Sequence, residues 1–277
     1  MRSSYVVSAL AIVAVWGCSS STAPSSSVSN AQVSADVAAS TAPAVSTSAS
    51  AFLAAEGGTG AAGARVPGGV RAMAGCTVHS SSGLNTFLTE SHPDSVSFSV
   101  TWEFFAGGGC QNAFDSTSTD SIAFAATERE VDNDPRFVAS AMQNWTFDVL
   151  GVPTLAAATT HVWNGVGMGT DTATHATPGL DRTYIGAAFD TATNVTFPHP
   201  LNGVTVPASG TFSRWTTVTV TQTTKGVHKV RTVSLHVLVT FNGTTQVPLV
   251  VFDDTGARLV TCTADLTARR VVNNTCK

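Results

Sequence analysis

Hydrophobic and polar residues alternate along much of this chain. In SVSFSVTWEF, Val96, Phe98, Val100, Trp102 and Phe104 share one side, while Ser97, Ser99, Thr101 and Glu103 share the other. A period of two marks a half-buried strand. VHKVRTVSLHVLVTF repeats it, with Val233, Leu235, Val237, Val239 and Phe241 opposite Thr232, Ser234, His236 and Thr240. TFSRWTTVTVT does so again through Phe212, Val218 and Val220. Lys225-Gly226, Asn242-Gly243 and Asp254-Thr255-Gly256 punctuate these runs as turns. From Gly210 onward the chain therefore reads as a meander of long antiparallel strands. Further strands are expected over 72–79, 121–131, 138–150, 155–164, 182–190, 245–252, 257–264 and 269–274, with Pro248 placing its strand at an edge or a bulge. One helical turn or two is expected near Leu84, Phe87 and Leu88. Residues 71–277 are thus predicted to form a single all-β domain, an antiparallel meander closing into a sandwich or a strongly curved sheet.

The pattern is absent before Val70. Residues 18–70 are rich in Ser, Ala, Thr and Gly, with few large apolar side chains. Such a stretch buries too little to offset the entropy of ordering, and it reads as a disordered tether. Gly58, Gly60 and Gly63 match the G-x-G-x-x-G spacing, but no strand precedes them and no acid follows at the required offset. They read as linker composition.

Residues 1–17 change character again. Arg2 is followed by an apolar run from Tyr5 to Trp16, about a dozen residues, where a membrane span needs roughly 20. That length suits a signal peptide. It ends in Val15-Trp16-Gly17-Cys18, which resembles the lipobox of bacterial lipoproteins. The resemblance covers the signal segment alone. It implies cleavage before Cys18, acylation of that cysteine and a lipid-anchored protein of the cell envelope. Ser19 stands where an Asp commonly retains such proteins at the inner membrane, which favours the outer membrane of a host that has one. The Val/Thr-rich meander also resembles secreted bacterial lipoproteins, a likeness that implies no particular activity. Strands of a membrane-spanning barrel would carry their apolar side outward, and such barrels need no anchor; that architecture is set aside.

Charged residues make up 12% of the chain and the formal net charge is -4. This composition excludes the basic face that nucleic acid requires and shows no polybasic membrane patch. The expected partners are the membrane, through the lipid, and an envelope protein or glycan. No cofactor is expected. With Cys18 acylated, Cys76, Cys110, Cys262 and Cys276 remain. An even count in an exported chain points to two disulfides, and proximity favours Cys76–Cys110 and Cys262–Cys276.

The sharpest chemical candidate is Glu128, Glu130, Asp132 and Asp134. On an extended strand alternate carboxylates project from one side about 6–7 Å apart. Such a row suits a divalent cation or the acid and nucleophile of a carbohydrate-active hydrolase. Asn133-Asp134-Pro135 is a turn signal that would end the strand before all four align. Three histidine groupings are weaker. His228 and His236 lie roughly 26 Å apart on one strand. His161, Asp171 and His175 need a folded loop to meet, and Ser91, His92 and Asp94 are too close in sequence to form a triad. Trp102 and Trp145 align with Phe104 and Phe147 as core. Trp215 shares its side with Thr211, Ser213, Thr217 and Thr219, and is the candidate ligand contact. The function expected is presentation of a tethered β domain for binding or an envelope structural role. The alternative is a hydrolase built on Glu128, Glu130 and Asp132.

Overall fold

The computed structural model describes residues 29–60, 77–89, 92–113, 115, 118–134, 137–150, 160–177, 180–198, 206–224, 226–272 and 276–277. Helix α1 spans Asn30–Gly60. The strands follow as β1 (His79–Thr89), β2 (His92–Ala106), β3 (Gly109–Gln111), β4 (Ser121–Asp134), β5 (Phe137–Leu150) and β6 (Thr160–Thr177). Then come β7 (Leu180–Pro198), β8 (Ser209–Thr224), β9 (Val227–Thr240), β10 (Gln246–Asp253), β11 (Arg258–Asp265) and β12 (Arg270–Val271). All belong to one antiparallel sheet in which chain neighbours are sheet neighbours, with β3 a short branch on β2. The sheet curls into a half-barrel. The all-β meander expected from the alternation is what the structure shows, in its strongly curved form.

The pleat sorts the side chains as the sequence pattern implies. Phe212, Val218 and Val220 of β8 and Leu235, Val237 and Val239 of β9 are buried on the concave side. On the convex side Thr217 and Thr219 meet Ser234 and Thr232 through hydroxyl pairs at 3.2 Å. Along this part of β8 and β9 the apolar side chains face inward and the hydroxyls outward. An aromatic spine crosses the concave side. Trp102 lies 6.3 Å from Phe124, which stacks on Trp163 at 4.8 Å, and Trp163 meets Phe197 edge-on at 6.4 Å.

The stretch read as a tether is a helix over Asn30–Gly60, and its first half is core. Val33, Val37, Ala38, Ala42, Ala44 and Val45 are buried, as are Ser34, Asp36, Thr41 and Ser46. Three local causes support the helix. Ser29 caps it by accepting from the Gln32 amide at 3.1 Å. Alanine is the best helix former. The hydroxyls of Ser40 and Thr41 donate back to the Val37 carbonyl at 2.9 and 2.8 Å, which removes their competition with the helix. The decisive cause is tertiary: small side chains on every side let α1 sit inside the curl, touching β9–β12 and also β2 and β4.

Other expectations change too. Leu84, Phe87 and Leu88 lie in β1, each paired with β2, so helical spacing loses to an eleven-residue ladder. β10 lies between β9 and β11, and Pro248 is accommodated because the β9 ladder begins only at Leu249. Gly210 (φ +105°) packs so closely on Asn194 that a Cβ would lie 2.4 Å from its carbonyl oxygen, which only glycine permits. Cys262 and Cys276 form a disulfide across a separation of 14, worth about 3 kcal/mol by loop closure. It holds Lys277 beside Thr261 in a reciprocal pair of 2.9 Å backbone bonds. Cys110 is also disulfide-bonded, to a partner outside the described residues, where Cys76 lies too.

One ion pair fixes α1 to the sheet. Asp36 Oδ2 accepts from Arg182 Nε at 3.0 Å and from the Tyr184 hydroxyl, while Oδ1 accepts from Gln32 at 2.9 Å. Burial and the adjacent Asp36 carboxylate push the Tyr184 phenol well above its usual range, so it stays a donor. Removing one member of a buried pair strands the other, at a cost of about 3–5 kcal/mol. Asp36→Ala should therefore lower the unfolding free energy by that amount and raise amide exchange across Val33–Val45. Exchange unchanged from the parent would show that packing alone holds the helix.

Candidate functional site

The pleat of five neighbouring strands brings one row of large side chains to the convex face. Met168 pairs with Phe189, Phe189 with Trp215, Trp215 with His236, and His236 with Phe252. Met168 is 68% exposed, Phe189 43% and Trp215 52%. The rings are ordered like stacked plates. Trp215 and His236 lie 4.0 Å apart and within 6° of parallel, and His236 lies 5.6 Å from Phe252. Ser213 Oγ and His236 Nε2 are 2.7 Å apart, which sets the imidazole plane. Burial between its neighbours lowers the His236 pKa below its ordinary value, so the ring is neutral at pH 7. Trp215 is thus exposed, as its Thr-rich side predicted, and the row around it comes from strand register that a single-strand pattern does not reveal.

The concave side holds a second polar group. Arg214, fully buried, grips Asp190 with two bonds of 2.8 and 2.9 Å and reaches Asp171 at 3.0 Å. A cavity of about 10 Å³ adjoins Asp171, room for a single water, and Asp171 Oδ1 has no protein partner among the described residues. Burial raises the Asp171 pKa, opposed by Arg214 and reinforced by Asp190. Two carboxylates on one guanidinium leave an excess negative charge, which Asp171 can shed by taking a proton. Nothing in the sequence alternation marks this cluster beyond polar residues at inward positions.

The remaining candidates separate. Glu128, Glu130, Asp132 and Asp134 all fall on β4, which runs through Asp134 instead of stopping short, but their side chains lie outside the described residues. His161, Asp171 and His175 occupy a single continuous strand, β6. His161 and Asp171 are therefore roughly 33 Å apart, too far to share a metal. His228 and His236 sit on β9 as expected, and His228 pairs with Thr223 at 2.9 Å. His92 and Asp94 lie on β2, but their side chains and Ser91 are outside the described residues. Gly58 and Gly60 end a helix, without the strand a dinucleotide site needs, and Gly63 is outside the described residues. Trp102 is core, Trp145 has no described side chain, and Cys18 lies outside the described residues. No group of three or more metal-ligating side chains exists among the described residues.

Two predictions follow the charges. Asp190→Ala leaves Arg214 without its two-bond partner and should cost about 3–5 kcal/mol in urea unfolding, whereas Asp171→Asn should cost under about 1 kcal/mol. Equal costs would show that Asp171 carries full charge in the folded protein. His236 should titrate below 6.5 by NMR. Its neutral form is favoured on folding, so its contribution to stability is present above 6.5 and fades as pH falls through the folded value. A midpoint at or above 6.5 would show an open, solvated ring. Compared with known protein families, curated proteins and solved structures, the chain finds no match in any of the three.

Proposed function

We propose that this chain is a lipid-anchored envelope protein whose β domain acts by binding on its convex face. The observation that carries this reading is the occupation of the concave face. In a half-barrel the concavity is the natural place for a ligand. Here α1 occupies most of it, tied down by Asp36, Arg182 and Tyr184; the space left beside Asp171 and Arg214 holds about one water, and a cavity of about 330 Å³ lies at the end of the trough where α1 starts. The convex row is the opposite case, with five large side chains, Met168, Phe189, Trp215, His236 and Phe252, standing side by side. His236 covers one face of Trp215, stacked at 4.0 Å. A row of exposed apolar side chains led by Met168, Phe189 and Trp215 suits an apolar protein surface.

The anchor supports the same reading. Val15-Trp16-Gly17-Cys18 supplies the acylation signal, and several acyl chains together hold a protein firmly at a bilayer. Among the described residues no helix is long and apolar enough to cross a membrane, so the lipid is the attachment this reading relies on.

Intact mass of the protein extracted from host membranes tests the anchor. The expected mass is that of a chain starting at Cys18 plus acyl groups, rising by about four hydrogens on reduction of two disulfides. A chain with an unmodified N-terminus elsewhere overturns it. For the convex row, Trp215→Ala should reduce cross-linking to an envelope partner about ten-fold or more, the scale of an aromatic anchor at an interface. Unchanged cross-linking removes Trp215 from the contact.

A further inference from the structure

The β8–β9 hairpin differs from the rest of the molecule in charge and in exposure. No acid occurs anywhere between Asp190 and Asp253, and that stretch contains Arg214, Lys225, Lys229 and Arg231. Three of the chain's 14 basic residues fall in 225–231, in a protein of net charge -4. Gly226, at φ +79°, makes the turn. Beyond it Val227 and Val230 are 59% and 67% exposed, and His228, Lys229 and Arg231 are exposed beside them. Val227 and Val230 lie on opposite sides of the pleat, yet both are solvated. The reason is topological: β10 pairs with β9 only from Leu235 to Val239, so the first half of β9 extends past the sheet's last neighbour.

The same hairpin receives the N-terminal chain. Arg231 Nη2 donates to the Asn30 side chain at the first turn of α1. Eleven residues separate Asn30 from Cys18. Fully extended they reach at most about 40 Å. The some fifty residues first read as tether shrink to these eleven, because α1 starts at Asn30 and is packed into the sheet. Charges of the other sign are also near: Asp253 and Asp254 of the β10–β11 turn line, with Arg231, a cavity of about 330 Å³ at the start of α1. They temper Arg231 and leave Lys229 and Val230 on the projecting edge.

We infer that the β8–β9 hairpin tip, Val227–Arg231, docks onto an anionic phospholipid surface and so orients the domain on its bilayer. The inference rests on the lipid-anchor reading for its short tether. Two exposed valines flanked by cations match an interface in which apolar side chains enter the headgroup region while Lys and Arg stay at the phosphates. Whole-chain charge hides this patch, since three cations are few for a 277-residue chain. An acylated cysteine no more than about 40 Å away supplies the second signal that a weak patch needs.

The test uses the full mature chain with Cys18→Ser, which has no acyl groups, at low ionic strength and millimolar lipid. It should sediment with vesicles of phosphatidylglycerol and phosphatidylcholine, less with phosphatidylcholine alone, and less as salt rises. Lys229→Gln should weaken partitioning about five-fold. Val227→Ser combined with Val230→Ser should weaken it about ten-fold. Both substitutions replace exposed side chains, so the parent fold is kept and loss of binding reports the surface. A Cys18→Ser chain that stays in the supernatant with anionic vesicles overturns the inference, as does partitioning that both variants leave unchanged. The mass of the wild-type N-terminus separates the two ideas. An unacylated wild type whose hairpin binds vesicles defeats the anchor and keeps the surface; an acylated one whose hairpin does not bind defeats the surface alone.

Discussion

A one-layer sheet cannot bury its own inner face. Curling brings the strands around a common interior, but a half-barrel still leaves a trough that water would fill. Everything else in this structure depends on what occupies that trough. A helix built of Ala, Ser, Thr and Val is narrow enough to enter it, and Val33, Val37, Ala38 and Val45 meet the strands with almost no exposed surface. Such a helix has little sidedness of its own, so it needs an address. Asp36 provides one, because its carboxylate fits where Arg182 and Tyr184 converge and would be costly anywhere else in the interior. Ser46 adds a second point of attachment by donating to the Leu266 carbonyl beyond β11.

The filled trough also explains where polar residues stand in the strands. Inward positions carry Arg214, Asp190, Arg182 and Gln222 among the apolar ones. An interior closed by side chains alone would favour uniform hydrophobics. One closed by a helix whose buried half carries hydroxyls and the acid Asp36 can accept polar partners, provided they neutralise one another. The Asp171–Arg214–Asp190 group does so incompletely, and burial raises the Asp171 pKa as a result.

How much was legible follows from the range of each signal. Strand alternation is local, so Val96–Phe104 and Val233–Phe241 announced their pleat, and the turn glycines announced the meander. Trp215 was legible as an outward residue for the same reason. Its row was not, because Met168, Phe189, His236 and Phe252 come together only through four separate registers. The helix was missed for a different reason. Residues 30–60 lack a clear apolar stripe, and a helix buried on many sides has no need of one. Ser and Thr there looked like linker composition until the Val37 carbonyl was seen to take up the hydroxyls of Ser40 and Thr41. The cation-poor total likewise concealed the β8–β9 hairpin, since net charge averages over positions that the fold keeps apart.

Recognising the helix changes the geometry of attachment. A tether of some fifty residues would let the domain sample any orientation at its membrane, and no particular face would be favoured for contact. Under the proposed anchor, the eleven residues between Cys18 and Asn30, which meets Arg231, would hold one end of the sheet near the bilayer. The strands then run away from that end. Trp215 is nine positions from Thr224 along β8, so the aromatic row stands roughly 30 Å from the hairpin tip. Under the same proposal that distance would carry the row clear of the lipid headgroups. In the proposed arrangement, attachment at the hairpin would leave the exposed row part-way along the strands available for binding.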